Sequence, residues 1–526
     1  MSGMEGNTLL YMENRLDSRV TYCQFDGNLV GPIHDQQGLE QGGVSSSDCY
    51  KLYNNELLNQ AQDSKLGINL GGSLVVSAIG QADDTVLVSN DLTKLRHILK
   101  ITLDYCSKFN VQLNSSKTKL VMIPPPRQSS FVPYNPISIN GRVINLVDQA
   151  EHVGVIRSIH GNMPNILQRV ASFKKAIGSV IACGLAKGHR SNPAASMRIL
   201  TQRGTPVLMS GLASLVLSPK ETSSVDQQLK RTLQNTLKLP AGSHPSPFVY
   251  FAAGSLPGTA ILHLKQITLF GMICRLPTCE PLNEHAIHVL LTHPSSSKSW
   301  FIQVRNLLLL YQLPHPLVLL HQPLAKEAFK RLVKSKITDH WETKLRSEAS
   351  FLKSLPCFHP QYLSLTSPHK LWTAAGPKPY EVSKARIQLL FLGSLYPCGS
   401  RIRHWSLSNP EGFCSFSSCW SQHVVETPEH ILLHCPAYLN TRMTMVSLCI
   451  QMPCNISLGL VTYFLTSNST KLMMQFLLDC SAIPDVIISA QNFGDQVYSN
   501  LFYLSRTWCF SIHRERLKRL GKWNFR

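Results

Sequence analysis

The sequence is short of negative charge. Its 526 residues carry 31 Asp and Glu against 51 Lys and Arg, a net charge of +20 with histidine neutral. A field of one sign draws polyanions to a surface, which makes nucleic acid the leading partner. A basic surface that is merely solvated gives the same balance, and without a sustained basic amphipathic helix an anionic membrane is the weaker candidate. Long apolar runs are lacking too. No stretch approaches the roughly 18 unbroken apolar residues of a membrane span, and the opening "MSGMEGNTLLYMENRLDSRV" has no cationic segment leading into an apolar one. The 15 cysteines lack the regular spacing of a secreted disulfide framework. These absences predict an intracellular protein of the nucleus or cytoplasm, not secreted, in a reducing compartment and without a transmembrane segment. Internal repeats and long low-complexity tracts are also missing.

Hydrophobic residues make up 44% of the chain, enough for a packed core, and the length suggests about three or four domains. Residues 1 to about 123 predict mixed helices and strands. "RVTYCQFDGNLVGPI" reads as a hairpin turning at Asp26-Gly27. Leu92, Leu95, Ile98, Leu99 and Leu103 recur at helical spacing behind Asp91, a capping residue, so 91–109 is expected to be a helix. "VQLNSSKTKLVMI" predicts a strand that the prolines from Pro124 end. From Leu167 the pattern turns helical, with Lys and Arg on the polar faces. Residues 255–400 continue as helices broken by proline and histidine, with no chemistry of their own in view. The chain closes on the basic "RERLKRLGKWNFR".

"SAIGQADDTVLVSND" (Ser77–Asp91) sets two carboxylates, Asp83 and Asp84, between two runs of strand formers. Adjacent carboxylates raise each other's pKa unless a cation neutralises them. Mg²⁺, or Mn²⁺, binds oxygen ligands and typically uses one or two carboxylates together with substrate phosphates. An isolated Asp-Asp in a surface turn needs no metal at all, so the surrounding motifs have to decide.

Those motifs give the chain its resemblance to the reverse transcriptases of non-LTR (LINE-type) retrotransposons. "GLEQGGVSSSDCYKLYNNELL" resembles that family's Gln-Gly motif and following helix, "QADDT" its metal box, "YCSKFNVQLNSSKTKLVMI" its Lys-Thr motif, and "EHVGVIRS" its primer-grip hairpin, in the family's order. The resemblance implies Gln41, Gly42 and Ser45 beneath template and nucleotide, Asp83 and Asp84 on magnesium, and Lys117 near the nucleotide phosphates. It implies His152, Val153 and Gly154 at the primer grip, and Lys174, Lys175, Lys187, Arg190 and Arg198 facing template–primer phosphates. A solvated helix face is the plain alternative for each of those basic residues. Substrates would be an RNA template, a DNA primer and deoxynucleoside triphosphates. The fold class implied is α+β, a partial antiparallel palm sheet with helices over 1–165, then thumb-like helices over 166–254, a helical connection over 255–405, a zinc segment over 406–440 and a basic helical region over 441–526. The family's third metal-binding carboxylate, from an aromatic-Asp strand upstream of the Gln-Gly motif, is not found. Asp17, Asp26 and Asp35 sit in the wrong contexts. The expectation is therefore an N-terminally truncated enzyme with impaired activity, or else a non-catalytic nucleic-acid-binding remnant.

"CSFSSCWSQHVVETPEHILLHC" presents Cys414, Cys419, His430 and Cys435 at intervals that suit a tetrahedral Zn²⁺ site. His434 and His423 are competing ligands, and buried thiols without a metal are the plain alternative. The segment also resembles the zinc-binding stretch of LINE-type enzymes. Arg401, Arg403, Trp405 and Arg442 around it, with Arg514, Arg516, Lys518, Arg519, Lys522, Trp508 and Trp523 at the end, suggest nucleic-acid contact or a solvated amphipathic helix.

Overall fold

A computed structural model describes residues 6–17, 19–35, 46–71, 74–124, 135–182, 191–242, 244–277, 280–403, 409–420, 422–451, 455–467 and 469–521. The chain divides into two compact units, Met1–Gly161 with Leu276–His293, and Asn162–Arg275 with Pro294–Arg526.

The first unit mixes helices with short strands. Arg19–Phe25 and Asn28–Asp35 form the expected hairpin, with Asp26 and Gly27 at φ 48° and 80° as its two-residue loop. Val20, Tyr22, Phe25, Leu29, Val30 and Ile33 of this hairpin are all solvent-exposed. The helix Leu92–Lys108 starts where Asp91 accepts a hydrogen bond from the Lys94 N–H. Its apolar stripe, Leu92, Leu95, Leu99 and Leu103, packs on Leu120, Ile137, Ile139 and Ile144. Its other side meets the helix Ser46–Asp63 through Tyr105 and Cys106 against Leu57, and the Tyr105 hydroxyl donates to the Tyr53 carbonyl at 2.7 Å.

Two strand expectations change. The strand through "VQLNSSKTKLVMI" shrinks to Lys119–Leu120, because Asn114 folds the preceding residues into a turn by accepting from the N–H groups of Ser116 and Lys117. Instead of one antiparallel palm sheet, the described strands form six two-stranded ladders, of which Lys119–Leu120 with Asn145–Leu146 is parallel. The helix Pro281–Thr292 joins this unit from far along the chain. It packs near Ile68–Gly71, where the His288 ring lies 2.2 Å from the place a Cβ on Gly71 would occupy.

The second unit is helical. Ser218 and Glu221 form a reciprocal capping box at the start of Pro219–Leu237, whose Val225, Leu229, Leu233 and Leu237 recur every four residues on the buried face. The final helix, Gln496–Arg519, departs most from its sequence reading. Its basic residues suggested a solvated or nucleic-acid-facing helix, yet it is the element against which Lys370–Ala375, Pro379–Leu392, Leu439–Ile450, Thr470–Asp479 and Pro484–Phe493 pack. Trp508 is buried and donates Nε1–H to the Leu432 carbonyl at 3.3 Å. Arg506 pairs with Glu381 at 2.7 Å, and Arg516 binds Glu426 through two nitrogens at 3.2 and 2.9 Å. Of the basic residues in this segment, Arg514, Lys518 and Arg519 remain exposed, while Lys522 and Trp523 lie outside the described residues.

Buried pairs of this kind break badly. Arg516→Ala would leave the Glu426 carboxylate, 2% exposed, facing an empty guanidinium site, with an expected loss of about 3–5 kcal/mol in chemical denaturation. Asp479 is the second such group, bound by His369 at 3.2 Å and by the Ser481 hydroxyl and N–H. Burial pushes its carboxyl up, but His369 and Ser481 outweigh burial and hold its pKa below the ordinary 3.8. Its contribution is therefore complete above that ordinary value and lost as pH falls through the lower folded one. Asp479→Asn should flatten the acid limb of a stability-versus-pH curve.

Candidate functional site

The strands Ala78–Gln81 and Asp84–Leu87 pair from Ala78↔Leu87 to Gln81↔Asp84, leaving Ala82 and Asp83 as the loop, with Ala82 at φ 52°. Thr85, Val86 and Leu87 turn partly inward, while Asp83 and Asp84 are exposed. The hairpin lies on the helix Ser46–Asp63. A Cβ on Gly80 would stand 3.0 Å from Leu58 Cδ1 and 3.4 Å from Asn54 Nδ2, so glycine permits the close approach. One helical turn before Asn54 on the same face is Tyr50, whose phenol pKa is raised first by burial and next by the Asp83 carboxylate. The tip of the hairpin thus stands beside the first turns of the helix that follows Gln41, Gly42 and Ser45. Those three residues lie outside the described ones.

Lys117 is exposed at the end of the Asn114 turn. His152 ends the strand Gln149–His152, and Val153 and Gly154, at φ 50° and 72°, make the two-residue loop before Val155–Ser158. A β-branched residue at positive φ is a steric outlier, and Val153 also exposes 59% of its surface. In the second unit, Phe173 is buried in the helix Met163–Ala182 and turns Lys174 and Lys175 outward; Arg198 is exposed as well. Lys187 and Arg190 lie outside the described residues. No third His, Cys, Asp or Glu joins Asp83 and Asp84 in a metal-sized group among the described residues.

The cysteine–histidine stretch is brought together. Phe413 pairs with Val425, and the Cys414 N–H reaches the Val424 carbonyl at 2.8 Å, closing a small knuckle. His430 opens a π-helical turn, His430–His434, with its N–H held by the Thr427 hydroxyl, and Cys435 follows directly, its N–H on the His430 carbonyl. The four ligand atoms lie within 4.8 Å of one another and all four residues are buried. Cys414 Sγ and Cys435 Sγ are 3.9 Å apart, Cys419 Sγ and Cys435 Sγ 3.8 Å, and Cys419 Sγ and His430 Nε2 3.6 Å. Ligands about 2.3 Å (S) and about 2.0 Å (N) from a tetrahedral zinc stand about 3.5–3.8 Å apart, so the donor set and the spacing both fit. The Cys414 thiol lies toward Cys435, which lowers the Cys435 pKa and raises that of Cys414 to about 12. His434, the competing ligand, is exposed and faces Glu429 at 3.5 Å, and His423 is not in the group.

Sequence reasoning missed the carboxylate behind this knuckle. Glu426 accepts from the Gly399 N–H at 2.7 Å and from Arg516, while Gly399 and Gly412 approach so closely that a Cβ on Gly399 would lie 2.3 Å from the Gly412 oxygen. The pairing joins residues 90 apart and leaves no local pattern in the sequence. Beside it, Arg442 donates to the Cys435 carbonyl at 2.8 Å.

Residues 7–155 match the family model of reverse transcriptases, described as RNA-dependent DNA polymerases. The match takes in Asp83, Asp84, Lys117 and the loop at Val153. No curated protein matches the chain. A reverse transcriptase domain of this class acts on nucleic-acid template and primer with deoxynucleoside triphosphates and generally uses divalent metals. Among the described residues no single helix is long and apolar enough to cross a membrane.

Proposed function

We propose that this chain is an RNA-directed DNA polymerase of a non-LTR retrotransposon, acting weakly. The observation that carries the reading is the Asp83-Asp84 hairpin set against the helix Ser46–Asp63 inside the segment matched to reverse transcriptases. Both carboxylates are exposed and free to reach a solvated ion. Mg²⁺ held there would polarise the α-phosphate and the primer hydroxyl. Nucleotidyl transfer at this place would join the primer 3′-oxygen to the α-phosphorus, with its proton passing to solvent and pyrophosphate leaving. By the resemblance, Gln41, Gly42 and Ser45 would serve template and nucleotide, Lys117 the phosphates, His152, Val153 and Gly154 the primer end, and Lys174, Lys175, Arg190 and Arg198 the duplex. A Cys₃His zinc at Cys414, Cys419, His430 and Cys435 holds the fold and takes no part in the chemistry.

A specific observation favours a second reading. Among the described residues no third carboxylate is in reach of these two, and two alone make an incomplete two-metal cage, which suits a nucleic-acid-binding protein that does not polymerise. Extension of a labelled DNA primer on an RNA template, with Mg²⁺ present and then chelated, separates the two. Metal-dependent extension supports the polymerase; tight template–primer binding with no extension leaves only the binding role.

A further inference from the structure

The positive charge is unevenly divided. The second unit holds 38 Lys and Arg against 14 Asp and Glu, a net +24, and the first unit is slightly negative. Packing leaves that excess outside, because the acids turned to internal partners take about as many cations inward with them. Asp226 accepts from Tyr250 and the Gly258 N–H, Glu342 from Leu365 and Arg346, Glu381 from Arg506, and Glu426 from Arg516. What remains outside is basic.

One place concentrates it. The 25-residue helix Lys326–Ser350 buries Phe329, Val333 and Ile337 and presents Lys326, Lys330 and Lys334 at four-residue intervals, with Arg331 alongside. Successive members of such a row are about 6 Å apart along the axis. Glu327 is the acid of this half, and it pairs with Lys330 at 3.1 Å. Lys326, Arg331 and Lys334 have no carboxylate within ion-pair distance among the described residues. At the foot of the helix, Arg275 lines a shallow notch with Gly271, Cys274, Leu319, Pro323, Leu324 and Phe329, so a further cation stands beside an apolar surface. Gly271 makes the notch tight, since a Cβ there would lie 2.2 Å from the Phe329 ring.

We infer that the Lys326–Lys330–Lys334 ridge, continued by Arg275, binds the phosphate backbone of a nucleic-acid strand. The ridge lies outside the segment matched to reverse transcriptases and on a different helix from Lys174, Lys175 and Arg198. The inference rests on the nucleic-acid part of the proposed function but not on catalysis. A regular row of cations, of which only Lys330 has a carboxylate partner, tracks a polyanion in register and reads no sequence.

The test uses the full chain carrying Lys326→Ala, Lys330→Ala and Lys334→Ala together, and measures fluorescence anisotropy of a labelled single-stranded RNA in EDTA over a range of KCl. Each lost single-strand phosphate contact removes about 0.7 from the slope of log K against log [salt], so the slope should fall by about 2 and the affinity at about 0.1 M by about 100-fold. The control replaces Lys353, Lys378 and Lys471, exposed lysines of the same unit, with alanine. An equal loss in the control means bulk charge alone and overturns the ridge. So does unchanged RNA binding in the ridge variant together with lost binding to phosphatidylserine vesicles, which would assign the face to a membrane. Unchanged circular dichroism and melting temperature confirm that the variant is folded. Because the assay contains neither Mg²⁺ nor nucleotides, failed primer extension leaves the ridge standing, and a failed ridge leaves the polymerase standing.

Discussion

Asp83→Asn is expected to abolish whatever primer extension the chain supports, by at least about a thousandfold, while leaving template–primer binding within about twofold. Losing one metal ligand of a phosphoryl-transfer site removes several kcal/mol of transition-state stabilisation, and about 4 kcal/mol corresponds to that factor. Folding should be unaffected, since Asp83 is exposed in the loop and its backbone carries no ladder partner. Stability and catalysis are thus separable at this position. The same substitution also discriminates between the two readings of the protein. If the wild type extends primers and the variant extends them equally well, the carboxylate pair is a surface turn and magnesium lies elsewhere. Tyr50→Phe is the companion variant: it keeps the ring and removes the phenol whose pKa responds to Asp83, so it should bind template–primer normally.

Cys419→Ser should release zinc and lower the melting temperature by several degrees. Cys419 Sγ lies within 3.8 Å of both Cys435 Sγ and His430 Nε2, so its loss removes one corner of the ligand tetrahedron. The cost spreads beyond the knuckle because the following turn is tied to the final helix, through Trp508 to the Leu432 carbonyl and Arg516 to Glu426. Metal content by atomic absorption and melting with and without chelator provide the measurement. Structural zinc is worth more to the folded state than any one of these hydrogen bonds. Protein purified without chelators and found free of zinc, with Cys419→Ser as stable as wild type, would reduce the cluster to packed thiols.

The elements legible in the sequence were those specified within a few residues. The Asp26-Gly27 turn, the Asp91 cap with its leucine stripe, and the Asp83-Asp84 hairpin each follow from local conformational preference or periodicity. The four zinc-type ligands fall within 22 residues, and their intervals carried the geometry. The strand at Lys119–Leu120 was overestimated because the Asn114 side chain competes for the backbone donors that a ladder would use. The charge pattern of the basic end predicts a surface feature because it reports composition and not burial. Arg506 and Arg516 are interior residues only because Glu381 and Glu426, 125 and 90 positions away, meet them there.

Sequence alone determined the chemistry on offer: a carboxylate pair between strands, a Cys₃His set at metal spacing, and an excess of cations awaiting a polyanion. Tertiary structure decided which groups are spent on the fold and which remain outside for a ligand. A carboxylate taken out of water must be paired or hydrogen-bonded, and its partner is selected by the packing of distant helices. Glu426 and Arg516 are drawn inward, while Asp83, Asp84, Lys326 and Lys334 face solvent.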